Sequence, residues 1–580
     1  MHAAAKLRSV AGFSGDSIYE SAVELGSEIA AGPSNGEFPA NPSTALPTRN
    51  FIFRQPQETF EERATVTASQ PPPGHIIQLW QAYLENVDPI MKVYHAPTLQ
   101  STVLGQIGRP YLAANDRALT AAIYLIATVS LTDDECRASL QESRNELLRR
   151  FREATEDALS AASFITTTDI VVLQAFVLYL AAMRSIGETR FVWSMTGLAI
   201  RMAGTIGLME DGRLAGLPPF ECEMRRRLLW AIAYVDARIA EQVGLGGDLL
   251  DQNHTVLPPA SVNDSELFPN MHRIPEGRSG ATDMIYVQLR VTLVSRLRAV
   301  PGIGGHAGTW ERIRAPSATV SERFDIVEAL ERKLEEDGLR YCDATVPLQL
   351  LAINFAQTLL HKLRLVGNVP LSQESLHNGP GDQSTDNVFE LSMRIMKLQL
   401  ALWTDPSLRK WRWHWQGQFQ WYAFAELIRQ TRMRQASSPN REAWTVIYHV
   451  FDLIIPTLEI APDKGPLLEA IQALLGTAAV SHNHASNTAD QSGAAIQASL
   501  SASSRIVPAA QMAAPSRPGM GSSPHNALLP GMDPRLYSPS DGRQGGDMIA
   551  PSMDDATLGL AFDTIDWAEF DRLTSELCGQ

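Results

Sequence analysis

Cysteine is scarce in this 580-residue chain: only four occur, at positions 136, 222, 342 and 578. Their spacings are too wide for a C-x2-C zinc knuckle, and four scattered thiols do not indicate a disulfide framework. The chain also lacks a secretory signal and any uninterrupted apolar run of about eighteen residues, so we expect a soluble intracellular protein with no membrane span. The most apolar segment, Ile170–Met183, contains Gln174 and predicts a buried core helix.

Positive charge is scarce as well. The 49 Lys and Arg residues against 64 Asp and Glu residues give a net charge of −15. A protein that coats nucleic acid with its whole surface needs concentrated Lys and Arg, and no long basic stripe occurs here. The motifs of serine hydrolases, zinc proteases, P-loop proteins and protein kinases are absent. The glycines of PGIGGHAG at 301–308 follow a helical segment, which argues against a dinucleotide fold, and we expect no enzymatic activity.

Helical periodicity is what the sequence does contain, from His75 to Gly476, and no strand-like alternation is strong enough to predict a sheet. We therefore predict an all-α, multi-helix, bundle-like domain over residues 75–476. Thr132 and Glu135 have the spacing of a capping box for a long helix through Ala158, and Thr168 is placed to cap the helix at 170–183. Further helices are predicted at 76–87, 119–126, 282–300, 320–337, 348–366, 388–403, 411–431, 442–458 and 467–475, with a surface loop at 370–383.

A pair of helices at 191–243 organises the chain. The first should end at Gly207, and the second should begin at Pro218 and Pro219, because proline in a first turn gives up only an unused donor. The run Arg225–Arg227 lies off the apolar stripe of the second helix. We interpret it as a solvated or salt-bridged face, with phosphate contact as the alternative.

Three motifs in this region carry a family resemblance: RMAGTIGLMEDG at 201–212, PFECEMRRRLLWAIAYVDAR at 219–238 and LPPASVNDSEL at 257–267. They resemble the fungal-specific transcription factor domain, the helical regulatory region of fungal regulators that normally carry an N-terminal six-cysteine zinc cluster. Further similar wording at 79–100, 169–174 and 339–349 extends the resemblance over roughly residues 75 to 430. The resemblance implies a structural motif made by Arg201, Arg226, Trp230, Asp236, Asn263 and Asp264, in which we expect Asp236 to pair with a nearby arginine such as Arg201 rather than act as an acid or base.

The zinc cluster implied by the resemblance has no ligands here. No cysteine precedes Cys136, and His2 and His75 cannot replace six thiolates around two metal ions. We therefore expect no cofactor in this chain. DNA contact would come through a partner subunit, in a homo- or heterodimer, or through an N-terminal module encoded upstream of Met1.

The two ends differ in composition from the helical region. Residues 1–74 predict a disordered leader, and residues 477–545, rich in Ser, Ala, Pro and Gly, predict a disordered linker in which His482 and His484 are inert. Residues 546–580 interleave carboxylates with large apolar side chains, a pattern typical of activation segments that fold on a coactivator. The side chains expected to make that contact are Phe562, Ile565, Trp567, Phe570, Leu573 and Leu577.

An aromatic cluster near the end of the helical region has two interpretations. Aromatic side chains bury the most surface per residue, so core packing is the simpler one. The alternative is a pocket for a small-molecule effector between helices. The residues concerned are Trp403, Trp411, Trp413, Trp415, Trp421 and Tyr422.

The resemblance to the fungal-specific transcription factor domain implies a nuclear fungal transcription regulator of RNA polymerase II genes, and by analogy one that is pathway-specific for a metabolic or secondary-metabolite gene cluster. The alternative is an interaction module that binds no DNA and sequesters or co-regulates a related transcription factor. Fold-level analogy does not identify the target genes.

Overall fold

A computed structural model of the chain describes residues 70–107, 112–243, 254–277, 280–297, 312–313, 315, 317–368, 382–434 and 438–457. Within these ranges the chain forms helices, turns and loops and no β-strand, which confirms the predicted all-α class. The first helix begins at Pro73, just before the predicted domain start at His75. No helix in the described part of the chain is long and apolar enough to cross a membrane.

The helices follow one another in this order: α1 (Pro73–Ala82), a π-helical turn (Tyr83–Val87), α2 (Asp88–Met91), α3 (Ala96–Leu104), α4 (Ala114–Ser130), α5 (Asp133–Leu140), α6 (Arg144–Ala161), α7 (Ile170–Ser185), α8 (Thr189–Thr205), α9 (Pro219–Val243), α10 (Ile285–Leu297), α11 (Val320–Asp337), α12 (Pro347–Gly367), α13 (Asp382–Thr404), α14 (Arg412–Trp415), α15 (Trp421–Met433) and α16 (Ser438–Leu453). Short 3-10 turns occupy Asp264–Glu266, Leu339–Tyr341, Pro406–Trp411, Gln416–Gln418 and Ile455–Thr457.

Helix α7 is the centre of the first half of the fold. Every residue from Val172 to Arg184 is buried, as its apolar character on all sides predicts. It packs on α4, α6, α8 and α9, and α4 is buried in the same way from Ala118 to Ser130. The second half is built by α10 to α16, with α12, α13 and α15 packed side by side, and one continuous apolar core runs through both halves.

The connection between α8 and α9 forms as predicted. Gly207 has a φ of +73°, and the Leu208 amide donates to the Ala203 carbonyl at 2.8 Å, closing the end of α8. Helix α9 then starts at Pro219 and runs for 25 residues. Because α9 is this long, it contacts helices of both halves of the fold.

Two predicted helices are broken in the structure, one of them at a second start signal. The box at Thr132 and Glu135 is present, but it begins only the short α5; a second capping box at Ser143 and Glu146 then starts α6. The predicted helix at 411–431 is likewise divided into a 3-10 turn, α14, a second 3-10 turn and α15. A local capping signal is strong enough to restart a helix even where the apolar periodicity continues.

One predicted helix cap needs a correction, and several predicted segments lie outside the described residues. The cap of α7 is Asp169 instead of Thr168, because its carboxylate accepts from the Val171 amide at 2.8 Å. The predicted leader through residue 69, the PGIGGHAG segment, most of the loop at 370–383 and everything after residue 457, including the helix at 467–475, the linker and the activation segment at 562–577, lie outside the described residues.

Candidate functional site on helix α9

The first half of α9 carries a buried set of charges that we call the ionic junction, made of Asp88, Lys92, Glu223, Arg227 and Asp264. Arg227 is 1% exposed. Its Nε lies 3.0 Å from Glu223 Oε1, one turn back along α9, and its Nη1 lies 2.7 Å from Asp264 Oδ1. The junction therefore fixes the loop that carries Asp264 onto the helix.

Lys92 links this pair to the beginning of the domain. Its Nζ lies 2.7 Å from Asp264 Oδ2 and 2.7 Å from Asp88 Oδ2. Lys92 ends α2 with a φ of +46°, a left-handed conformation that a non-glycine residue adopts only where its surroundings hold it. The imidazole of His95 adds a bond to the Asp264 carbonyl at 2.9 Å. The start of the domain and the loop 172 residues later are thus held together by buried ion pairs.

The junction holds three carboxyl groups against two cations, and their pKa values separate accordingly. Burial raises the pKa of Asp88 and of Glu223 despite their neighbouring cations. Burial also acts to raise the pKa of Asp264, but Arg227 and Lys92 together hold it below its usual value. Asp264, which bonds both cations, is therefore the carboxylate that stays ionised most firmly.

A second group of buried charges, the Arg226–Asp211 clamp, lies beside the ionic junction. Arg226 forms two bonds to the carboxylate of Asp211, Nε at 2.8 Å and Nη2 at 2.9 Å. The same carboxylate accepts from the Leu257 amide, and Trp230 Nε1 donates to the Leu257 carbonyl at 3.0 Å. A bidentate guanidinium–carboxylate pair fixes orientation as well as distance, so the loop after α9 is held at two points.

The arginine run therefore only partly follows its prediction. It is salt-bridged, as expected, but Arg226 and Arg227 are buried rather than solvated, because the loop at 254–267 covers the face of α9 outside the apolar stripe. Arg225 donates to the Ile206 carbonyl at 2.8 Å and so caps the end of α8. Burial in protein contacts leaves these side chains committed within the domain rather than free for phosphate.

The other predicted motif residues have different environments in the structure. Asn263 Oδ1 accepts from the Asp283 amide at 3.0 Å and begins the 3-10 turn that presents Asp264. Asp236 is buried, whereas Arg201 is exposed on α8. The expected pairing of Asp236 with a nearby arginine stays a prediction. The sequence placed Asp236 and Arg201 near each other along the two helices, but Arg201 lies on the outer face of α8.

Two of the clustered tryptophans join the far ends of the fold. Trp411 Nε1 donates to the Glu85 carbonyl at 3.2 Å, and Trp413 Nε1 donates to the Asn86 carbonyl at 3.1 Å, across more than three hundred residues. In a regular α-helix the Glu85 carbonyl would accept from the amide four residues on, but that residue is Pro89, which has no N–H. The indole of Trp411 supplies the missing donor. We call the two contacts made by Trp411 and Trp413 the tryptophan joint.

The remaining members of the aromatic cluster lie in the second half of the core. Trp403 donates to Thr457 Oγ1 at 2.8 Å, Trp415 and Trp421 are buried, and Tyr422 is half-buried. Burial of all five tryptophans is what core packing predicts, and an effector pocket lined by several of them stays a prediction. Two concavities are present elsewhere. One of about 330 Å³ lies between α10 and the end of α11, and one of about 420 Å³, beside α5, touches Trp413 alone of the cluster.

The second half of α9 contributes to a further group that sequence reasoning missed, the arginine–aromatic cluster of Arg184, Tyr234, Tyr286, Arg290 and His414. These residues come from α7, α9, α10 and α14. The Arg290 guanidinium lies 4.1 Å from the ring centre of Tyr234 and 5.3 Å from that of Tyr286. His414 stacks on Tyr234 with ring centres 5.9 Å apart, and its Nε2 lies 3.3 Å from the Tyr234 hydroxyl.

Positive charge dominates this cluster. Burial, followed by the fields of Arg184, Arg290 and Arg238, holds the pKa of His414 well below its usual value, so its imidazole is neutral at physiological pH. Burial likewise lowers the pKa of Arg184 and raises that of Tyr286. No pattern in the sequence signals this site, because four separate elements bring its members together.

The region that holds the ionic junction matches a known family. Residues 80–272 match the family model described as the fungal specific transcription factor domain. The chain contains a fungal specific transcription factor domain. Every residue of the ionic junction and of the Arg226–Asp211 clamp lies within this domain, so the buried charges join the first helices of the domain to its last loop.

Curated relatives extend the similarity beyond the domain. The chain is 31% identical over 432 residues to the aurofusarin cluster transcription factor aurR2 of Gibberella zeae, which covers 74% of this chain and 62% of that protein. It is 31% identical over 410 residues to the pyriculol/pyriculariol biosynthesis cluster transcription factor 1 of Pyricularia oryzae, covering 69% and 54%. It is 28% identical over 398 residues to the C6 finger domain transcription factor adaR of Aspergillus niger, covering 64% and 49%.

The chain therefore spans roughly half to three-fifths of the length of these relatives. The aligned 432 residues exceed twice the span of the family match, so the similarity includes residues outside 80–272. No solved structure matches the chain.

Proposed function

We propose that this chain regulates transcription of RNA polymerase II genes in a fungus, as a pathway-specific regulator of a biosynthetic gene cluster. One observation carries the proposal: the long alignment to relatives whose names state a cluster-specific transcription factor. The helical domain is its regulatory part, and the protein acts in the nucleus. Its DNA contact comes from a partner subunit or from a zinc-cluster module joined to this chain.

The packing of the domain supports a regulatory rather than a catalytic role. The charged groups of the ionic junction and of the Arg226–Asp211 clamp bond to one another and to backbone amides. A catalytic acid or base needs a face open to substrate. These groups instead fix how the loop at 254–267 lies on α9, which is a structural task.

The carboxyl-terminal segment supplies the output in this proposal. Its carboxylates keep Trp567 and Phe570 accessible in water, and pairing of those rings with an apolar coactivator groove gives the binding energy. The helical domain controls access to the segment or holds a partner regulator.

A reporter experiment on the full chain tests the proposal. Residues 1–580 are fused to a heterologous DNA-binding domain, and reporter transcription is compared with that of the DNA-binding domain alone. We expect activation by the fusion, a several-fold fall in the Trp567→Ala/Phe570→Ala variant and no change in Ser575→Ala, a control in the same segment. A silent fusion present at normal abundance contradicts the activator role and favours the module that sequesters a related factor.

A further inference from the structure

The arginine–aromatic cluster concentrates positive charge where water is excluded. Arg290 is 2% exposed and Arg184 is 7% exposed, and within the described residues neither forms a salt bridge with a carboxylate. Arg290 Nε and Nη1 have no hydrogen-bond partner there, and Arg184 has one long bond, 3.4 Å, to the His414 carbonyl. Buried guanidinium groups are normally paired, because their desolvation is costly unless a counter-charge offsets it.

The aromatic contacts do not replace that counter-charge. Tyr234 and Tyr286 hold the Arg290 guanidinium by cation–π contacts at 4.1 Å and 5.3 Å, which set its position. They accept none of its N–H bonds. His414 is 1% exposed, and its Nδ1 also has no partner among the described residues. Three buried nitrogens of the cluster, Nε and Nη1 of Arg290 and Nδ1 of His414, therefore lack a hydrogen-bond partner there.

The cluster contrasts with the ionic junction on the same helix. There, two cations meet three carboxyl groups, and both cations bond carboxylate oxygens at 2.7 Å. Here, the Arg290 guanidinium faces two phenol rings, and the Arg184 guanidinium donates to the backbone carbonyl of His414. Arg227 Nη2 and Asp88 Oδ1 lack hydrogen-bond partners, but each cation of the junction has carboxylate counter-charges, whereas the cluster has the donors and the charge of an anion site without an anion from the described residues.

We propose that the arginine–aromatic cluster binds the carboxylate of a small organic acid inside the helical domain. Guanidinium groups match carboxylate oxygens in charge and hydrogen-bond geometry. The rings of Tyr234, Tyr286 and His414 pack against one another and surround the Arg290 guanidinium with apolar surface, which favours an acid with a planar or aliphatic body over an inorganic ion. The site therefore selects a carboxylate metabolite.

Such a ligand would act on the fold as a whole. It would tie α7, α9, α10 and α14 together, and α14 carries Trp413 of the tryptophan joint. The ligand binds the folded state only, so binding raises the stability of the domain. That this changes transcription rests on the proposed function, but the binding itself does not.

Thermal unfolding of the purified full chain tests the site. The unfolding temperature is measured with acetate, succinate and benzoate at constant ionic strength, with benzamide as a neutral analogue of benzoate, and with chloride and inorganic phosphate. We expect at least one of the three carboxylates to raise the unfolding temperature in a concentration-dependent way, and no response to benzamide. No shift with any carboxylate, or equal shifts with chloride or phosphate, would overturn the proposal.

Variants separate a ligand site from a structural role. Arg290→Met should lose the carboxylate response and, without added acid, should unfold at the same temperature as the native chain or higher, because an uncompensated buried charge is gone. Arg296→Met, on the exposed side of the same helix, should keep the full response. A large fall in unfolding temperature for Arg290→Met without added acid would assign Arg290 a structural role and refute the site.

The sequence itself offers one further check. Asp248 and Asp251 follow α9, and Asp248→Asn and Asp251→Asn should leave both the unfolding temperature and the carboxylate response unchanged. If either substitution lowers the unfolding temperature and strengthens the response to added carboxylate, this chain supplies the anion and the proposal fails. The thermal measurement involves no transcription, so its failure and that of the reporter experiment are independent.

Discussion

Replacing Arg227 by methionine removes the central cation of the ionic junction and keeps most of the aliphatic stem. Its side chain is 0% exposed and contacts two carboxylates, at 3.0 Å and 2.7 Å. At an effective dielectric constant of about 20, two unit charges about 4 Å apart attract by roughly 4 kcal/mol. Two such pairs are lost, and the relief of burying the guanidinium returns part of that energy. We expect a net loss of about 3–5 kcal/mol in the free energy of unfolding.

Urea unfolding of the full chain, followed by circular dichroism at helical wavelengths, measures this loss. The matched control is Arg213→Met, which also removes an arginine paired with an aspartate, at 2.9 Å from Asp211, but whose side chain is 59% exposed. We expect the control to lose less than about 1 kcal/mol. An Arg227→Met variant within about 1 kcal/mol of the native chain would refute the argument that burial makes this pair strong.

The loss should also depend on pH. Burial already raises the pKa of Glu223, and removing Arg227 raises it further, while Asp264 loses one of the two cations that hold its pKa low. A carboxyl group with a higher pKa in the folded than in the unfolded state makes the free energy of unfolding fall as pH rises through that folded-state pKa. The deficit of Arg227→Met should therefore be smaller at pH 5 than at pH 8. An equal deficit at both values would contradict the assignment of these carboxyls.

Three smaller perturbations have distinct causes. Trp411→Phe leaves the Glu85 carbonyl without its indole donor and should cost about 1–3 kcal/mol in urea unfolding, whereas Trp193→Phe, at a side chain 39% exposed, should cost under about 0.5 kcal/mol; equal costs would argue against the tryptophan joint. Ser143→Ala removes the cap of α6 and should cost about 1 kcal/mol, and no loss would show that this cap does not stabilise α6. Gly207→Ala forces a φ of +73° on alanine and should cost about 1–2 kcal/mol by the same assay; a neutral result would show that the turn rearranges.

Local features of this fold could be predicted from the sequence because their causes are local. Helix α11 has the predicted bounds, Val320–Asp337, since its apolar spacing is regular and Gly338 follows it. The burial of α7 follows from an apolar surface on all sides, and the end of α8 at Gly207 follows from glycine's freedom at positive φ. Each of these depends on residues within a turn or two of one another.

The buried charges could not be predicted in the same way. Periodicity places Arg227 outside the apolar stripe, which suggests solvent, but a loop 37 residues later covers that face and supplies Asp264. Lys92 reaches the same carboxylate from 172 residues away. The arginine–aromatic cluster draws on four elements, and no spacing rule connects Arg184 to His414. Sequence gives the type of each side chain, whereas the partner that determines its role comes from the tertiary fold.

The most direct test of the central proposal, that this helical domain belongs to a regulator of a biosynthetic gene cluster, is transcript measurement in the organism that carries the gene. The gene is deleted, then restored either as the native sequence or as Arg227→Met, and transcripts across the genome are counted. We predict that transcripts of a contiguous set of biosynthetic genes fall on deletion, recover with the native chain and recover incompletely with the variant. Unchanged transcripts in the deletion strain, under conditions where the gene is expressed, would contradict the proposal.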